Sequence, residues 1–153
     1  MILVLIYYEF CGIIMSRLII YNVSGGNFMT IDQMKVLISD DSVFARKKLK
    51  DYILSLGAAE VLEANDGQEA IDLYKENKPD VVFMDIIMPK KTGIEAVKEI
   101  LAFDNNAKVV MASSVGTQKY LKDAITAGAY EFLQKPIDNN LVQKILQNIV
   151  KEG

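Results

Sequence analysis

From Met29 onward the chain repeats one pattern five times: an apolar run of strand length, then a longer stretch with apolar residues at helical spacing. That alternation constrains the fold more than any other feature, because parallel strands joined by helices form a sheet covered on both faces. Lys35 to Ser39 reads as the first strand. Ser42 then caps a helix whose apolar positions Ala45, Leu49, Ile53 and Leu56 recur every third or fourth residue until Gly57 stops it, with Arg46, Lys47, Lys48 and Lys50 on the other face. A second strand is expected near Glu60 to Ala64, and a helix from Gly67 to Asn77, broken by Pro79. Val81 to Met84 is apolar throughout, as a central parallel strand buried on both faces requires. Lys108 to Ala112 and Tyr130 to Gln134 complete the strands, with helices at Ile94 to Phe103, Gln118 to Ala127 and Asn139 to Lys151. The expected class is an α/β doubly wound, five-stranded parallel sheet.

In an open parallel sheet the loops at the carboxyl ends of the strands converge on one crevice. Those ends are polar here: Asp40-Asp41 after strand one, Asp85 after strand three, Ser113-Ser114 after strand four and Lys135-Pro136 after strand five. Each has an ordinary explanation alone, as a helix N-terminal acid, a solvated strand end or a surface cation. Together they place three carboxylates, a hydroxyl and an ammonium along one edge. Three neighbouring carboxylates repel one another, and a hard divalent cation with oxygen ligands relieves that repulsion. Mg²⁺ fits, since it keeps several waters whose places phosphoryl oxygens can take.

Composition removes several other chemistries. The 153 residues contain no His, so His-ligated zinc and Ser-His-Asp hydrolysis are excluded. The single cysteine, Cys11, can form no internal disulfide, and a reducing cytoplasm is the default location. With 17 Lys+Arg against 20 Asp+Glu, the chain lacks the basic excess of a nucleic-acid binder.

These residues resemble a response-regulator receiver domain over about residues 34 to 151. The Asp40-Asp41 pair, the D-x-x-M-P-x-x-x-G spacing of Asp85 through Met88, Pro89 and Gly93, the strand-four hydroxyl and the closing Lys135-Pro136 match in order. The resemblance implies a flavodoxin-like sheet of order 2-1-3-4-5. It implies that Asp85 is the phosphoacceptor, and that Mg²⁺ is held by Asp40, Asp41, Asp85 and the main-chain carbonyl of Ile87. Ser113 corresponds to the switch hydroxyl, Phe132 to the switch aromatic, and Lys135 to the lysine that neutralises a phosphoryl oxygen. The phosphoryl donor would be a phosphohistidine on a separate sensor histidine kinase, and Lys135-Pro136 a cis peptide. Phe132 also has the plain reading of an aromatic packed on a buried strand.

No helix-turn-helix or catalytic segment follows the last helix, so output through a downstream protein target is expected. The SSVGTQ and GAYEFLQKP segments resemble chemotaxis-type single-domain regulators. Ile87 and Val115, each two residues beyond a site residue, are more apolar than in many such domains and would border the approach of hydrolytic water. A flavodoxin-like cofactor binder is disfavoured because two carboxylates stand where a flavin phosphate needs donors. A haloacid-dehalogenase-type phosphatase needs an acid where Ile87 stands. A pseudo-receiver that never takes a phosphoryl group is at odds with the complete acid set and Lys135.

Residues 1 to 28 differ in kind, with Glu9 and Arg17 the only charges among Ile, Leu, Tyr and Met. A membrane anchor of that length would carry both charges within the span, and a signal peptide would need a basic start and an A-x-A site. The favoured expectation is an over-extended start, because Ser24 to Phe28 can be encoded with GGAGG about seven nucleotides before the Met29 codon, as a ribosome-binding site would be. An anchor remains the alternative.

Overall fold

The computed structural model describes residues 29–114 and 118–152; the expectations for residues 1 to 28 and for Val115 lie outside the described residues. The strands are β1 (Lys35–Ser39), β2 (Glu60–Ala64), β3 (Val81–Asp85), β4 (Val109–Ser113) and β5 (Glu131–Gln134). The helices are α1 (Val43–Ser55), α2 (Gly67–Asn77), α3 (Gly93–Phe103), α4 (Gln118–Ala127) and α5 (Asn139–Glu152), preceded by a 3-10 turn at Ile31–Gln33. All strand pairs are parallel, in the order β2-β1-β3-β4-β5.

Side-chain alternation along the strands sorts the interior into two layers. Val36, Ile38, Val81, Phe83, Val110 and Ala112 face one side, where Leu49 and Ile53 of α1 and Val142, Ile145, Leu146 and Ile149 of α5 close over them. Leu37, Val82, Met84, Val109 and Met111 face the other, under Ala70, Ile71 and Tyr74 of α2, Val97 and Ile100 of α3 and Ala124 of α4. All five residues of β3 are buried, Val81 to Met84 as their unbroken apolar run predicts and the acid Asp85 with them.

Helix starts follow local chemistry. The Ser42 hydroxyl accepts from the Ala45 amide, Asp66 from the Glu69 amide, and Thr92 and Glu95 satisfy each other's amides in a capping box. Gly57, at φ 97°, follows α1, and Lys78, at φ 45°, ends α2 before Pro79. Three strands differ from the sequence reading, the third by running on to Asp85 rather than ending at Met84. The fourth runs Val109–Ser113 rather than 108–112, and the fifth starts at Glu131 rather than Tyr130. In the fourth the ladder continues through Ser113, which pairs with Gln134, so a polar side chain ends the apolar run without ending the strand. Among the described residues no helix is long and apolar enough to cross a membrane.

Candidate functional site

The order of the sheet puts β1 and β3 side by side at its centre, so Asp40 and Asp85 emerge next to each other. One carboxylate oxygen from each of Asp40, Asp41 and Asp85 lies within 4.8 Å of the others. Asp40 and Asp85 are only 6% and 8% exposed, whereas Asp41 faces solvent. Lys135, delivered by the end of β5, places Nζ 2.5 Å from Asp40 Oδ2 and 3.0 Å from Asp85 Oδ2. Four of the residues singled out from the sequence are thus brought together by strands remote in the chain.

Their electrostatics follow from crowding. Burial raises the Asp85 carboxyl above its ordinary value and the Asp40 charge pushes the same way, against the opposing pull of Lys135 and of a hydrogen bond from the Ile87 amide. Burial alone would lower Lys135, but the hydrogen bonds and charges of Asp40 and Asp85 leave it raised, so it is a firm cation at neutral pH. Asp40 is held at both ends: Oδ1 accepts from the Ser42 amide at 2.8 Å, and its main-chain carbonyl accepts from Arg46 Nη1 at 2.6 Å. Arg46 therefore corrects the sequence reading of α1's basic face. It turns inward, its side chain 13% exposed, with Nε 3.4 Å from Glu63 of β2. Helical spacing does set it apart from Lys47 and Lys48, since Arg46 lies three and seven residues before the buried Leu49 and Ile53 and so along their face.

Beside the acids, Ser113 is fully buried at the end of β4, and its carbonyl accepts from the Lys135 amide at 2.9 Å. The Lys135-Pro136 peptide is cis. Phe132, opposite Met111 in the β4–β5 register, is half-buried against the layer that contains α4. Ile87 is exposed by 51% where the chain leaves Asp85.

The motif around Asp85 has structural causes. A Cβ on Gly93 would lie 2.1 Å from the Asp85 carbonyl oxygen, so only glycine lets α3 begin this close to the end of β3. Met88 is buried, its sulfur 3.2 Å from the Ser39 hydroxyl. Two features of this loop were not anticipated from sequence: Lys90 sits at φ 60°, and its Nζ contacts Asp66 at 2.6 Å.

The donor set fits a hard divalent cation: all oxygen, acidic, and with one exposed carboxylate leaving an open side. Comparison with known proteins points to one family. Residues 36–147 match the family described as the response regulator receiver domain. The chemotaxis protein CheY of Thermotoga maritima is 45% identical over 117 residues, covering 76% of this chain and 98% of that protein. CheY of Bacillus subtilis is 44% identical over 108 residues, covering 71% and 90%. Among solved structures, a CheX-CheY-BeF3-Mg²⁺ complex from Borrelia burgdorferi superimposes with a TM-score of 0.71 at 39% identity, covering 76% of this chain and 88% of that one. The sheet order, the acidic edge and these similarities coincide, and the chain belongs to the response regulator receiver family.

Proposed function

We propose that Asp85 accepts a phosphoryl group from a phosphohistidine of a sensor histidine kinase, and that the protein signals by contact with a downstream protein. The observation that carries this reading is the convergence of three carboxylates and Lys135, with Asp85 the acid that ends the central strand. An Asp85 carboxylate oxygen forms the new P–O bond, and the donor's P–N bond breaks with its electron pair left on the imidazole nitrogen. Asp40, Asp41, Asp85 and the Ile87 carbonyl would hold Mg²⁺, which when bound supplies positive charge to the phosphoryl oxygens. Lys135, already within 3.0 Å of Asp85, supplies a fixed cation on the other side. Such transfer needs positioning and charge more than covalent help. Attack of water at phosphorus later breaks the P–O bond, releasing phosphate and restoring the carboxylate. These self-catalysed steps are the whole of the proposed chemistry.

For signalling, Ser113 would hydrogen-bond the phosphoryl group in one arrangement of its loop and bias the setting of Phe132. The chemotaxis names of the relatives, at 45% and 44% identity over nearly their full length, favour a chemotaxis-type pathway and a cytoplasmic location. We assign residues 34–151 as the receiver unit. Intact mass after incubation with acetyl phosphate and Mg²⁺ tests the reading: a single phosphoryl adduct is expected, lost in Asp85→Asn. No adduct, or an adduct of equal yield in that variant, overturns it.

A further inference from the structure

We propose that Lys90 is a positioning residue for the phosphoacceptor site, pinning the β3–α3 loop to the N-terminus of α2 through Asp66 and thereby fixing Ile87 beside Asp85. The inference rests on the reading of Asp85 and its neighbours as a phosphoryl and Mg²⁺ site.

The loop is secured at both ends by main-chain hydrogen bonds, Ile86 N–H to the Ala112 carbonyl at 3.0 Å and Gly93 N–H to the Ile86 carbonyl at 2.9 Å. Between them Lys90 adopts φ 60°, a conformation that a residue with a Cβ takes up only when its surroundings impose it. The Lys91 amide donates to the Pro89 carbonyl at 2.7 Å across Lys90, closing a tight turn, and three further contacts hold that turn against its neighbours. Lys90 Nζ donates to Asp66 Oδ2 at 2.6 Å. The Lys91 carbonyl rests against Gly67, where a Cβ would lie 2.3 Å from its oxygen. The Met88 sulfur meets the Ser39 hydroxyl, which also lies 3.4 Å from the Asp66 carbonyl.

Asp66 makes a firm anchor. It is 1% exposed, and its other oxygen accepts from the Glu69 amide at 2.9 Å as the cap of α2. The Lys90 hydrogen bond and that amide hold its carboxyl below its ordinary value, so it is charged at neutral pH. The other end of the same loop touches the chemistry directly, since the Ile87 amide hydrogen-bonds the Asp85 carboxylate. Lys90 is itself the left-handed residue, three positions beyond Ile87, so its ion pair with Asp66, though its side chain is 71% exposed, bears on Ile87 through the backbone of that turn. Outer contacts that orient a metal site are felt in its affinity.

The sign of the effect separates this role from that of an ordinary surface cation. Lys90 as a mere charge would repel Mg²⁺, so neutralising it would tighten binding. As a positioning residue, its loss weakens binding. We would titrate Mg²⁺ calorimetrically into the full chain, its Lys90→Met variant and its Lys90→Arg variant, and measure labelling by acetyl phosphate in each. Expected is an affinity loss of about tenfold in Lys90→Met, a parallel slowing of labelling, and recovery in Lys90→Arg, which keeps a donor to Asp66. Unchanged or tighter Mg²⁺ binding in Lys90→Met, with labelling intact, overturns the proposal. A parent chain that binds no Mg²⁺ and takes no label overturns the reading of the site, and the role of Lys90 with it.

Discussion

The ammonium of Lys135 stands 3.0 Å from the carboxylate of Asp85 while also touching Asp40, so one cation bridges the two buried acids. Removing one member of such a group leaves uncompensated charge out of water. Lys135→Ala is expected to lower stability in chelator by about 3 kcal/mol. Added Mg²⁺ should recover part of it, because binding to the native state alone stabilises that state. Urea melts with and without Mg²⁺ measure both effects. Phosphorylated Lys135→Ala should also fail to shift the Phe132 resonances that move in the parent, having lost the fixed counter-charge.

Asp85 itself gives a prediction with a definite sign. Burial, aided by Asp40, holds its carboxyl above the ordinary value. Between the unfolded value of about 3.9 and that raised value the native chain binds more protons than the unfolded one, so stability falls as pH rises through the window. Asp85→Asn has no such loss. In chelator its melting temperature should match the parent's at about pH 3 and exceed it at about pH 7. A constant difference across this range would mean that the ionisation of Asp85 does not burden the fold.

Gly93 is the position at which a small change should do most harm to the site. A Cβ there meets the Asp85 carbonyl oxygen at 2.1 Å and the Ile86 Cα at 3.0 Å, both backbone and unable to swing away. Gly93→Ala is expected to cost roughly 1–3 kcal/mol by overpacking. Because the displaced backbone is that of Asp85, labelling by acetyl phosphate should fall even at temperatures where the variant remains folded. Thermal melts and intact mass read the two effects separately.

Most of the architecture was open to sequence reading because it rests on local patterns. β1, β2, α2 and α4 have the expected bounds. The acids, Ser113 and Lys135 stood out as polar residues at strand ends, where topology makes remote segments converge. What escaped depends on contacts without a local pattern. Lys90 and Asp66 are 24 residues apart, and neither looks unlike a surface charge and a helix cap. For Arg46 the spacing to Leu49 and Ile53 marks the inward face, but its partner, the Asp40 carbonyl, is set only by the fold. The 3-10 turn at Ile31–Gln33 is too short to show periodicity, and what marks it is a single long contact from the Thr30 amide to Gln33 Oε1 at 3.3 Å.

A chain beginning at Met29 is expected to fold and accept phosphoryl as the full chain does. The 3-10 turn and β1 follow within a few residues, and Met29 packs against the layer formed with α1 and α5. Matching melting temperatures and adduct yields for the two chains check this. Lower stability in the shorter chain would assign residues 1 to 28 a share in the fold, and membrane association of the longer one would favour an anchor.

The last prediction concerns how long the phosphoryl group survives. Ile87 is 51% exposed two residues beyond the acceptor, and its apolar side chain is expected to border the side from which water approaches. Its main chain serves Asp85 through the amide, but its side chain has no polar atom with which to orient a nucleophile. Positioning of the attacking group is a large part of phosphoryl-transfer catalysis, and an approach lined by hydrocarbon should leave hydrolysis slow while the acids and Lys135 remain intact. Ile87→Asn supplies a carbonyl and an amide able to hold water, and Val115→Glu adds a carboxylate two residues beyond Ser113. Phosphate release from the double variant should be faster by about tenfold, equivalent to ~1.4 kcal/mol of barrier, at equal Mg²⁺. Ile87→Asn alone should account for part of that gain. Equal release rates in parent and double variant would show that these side chains do not govern access of water, and that the lifetime is set by the acids and Lys135.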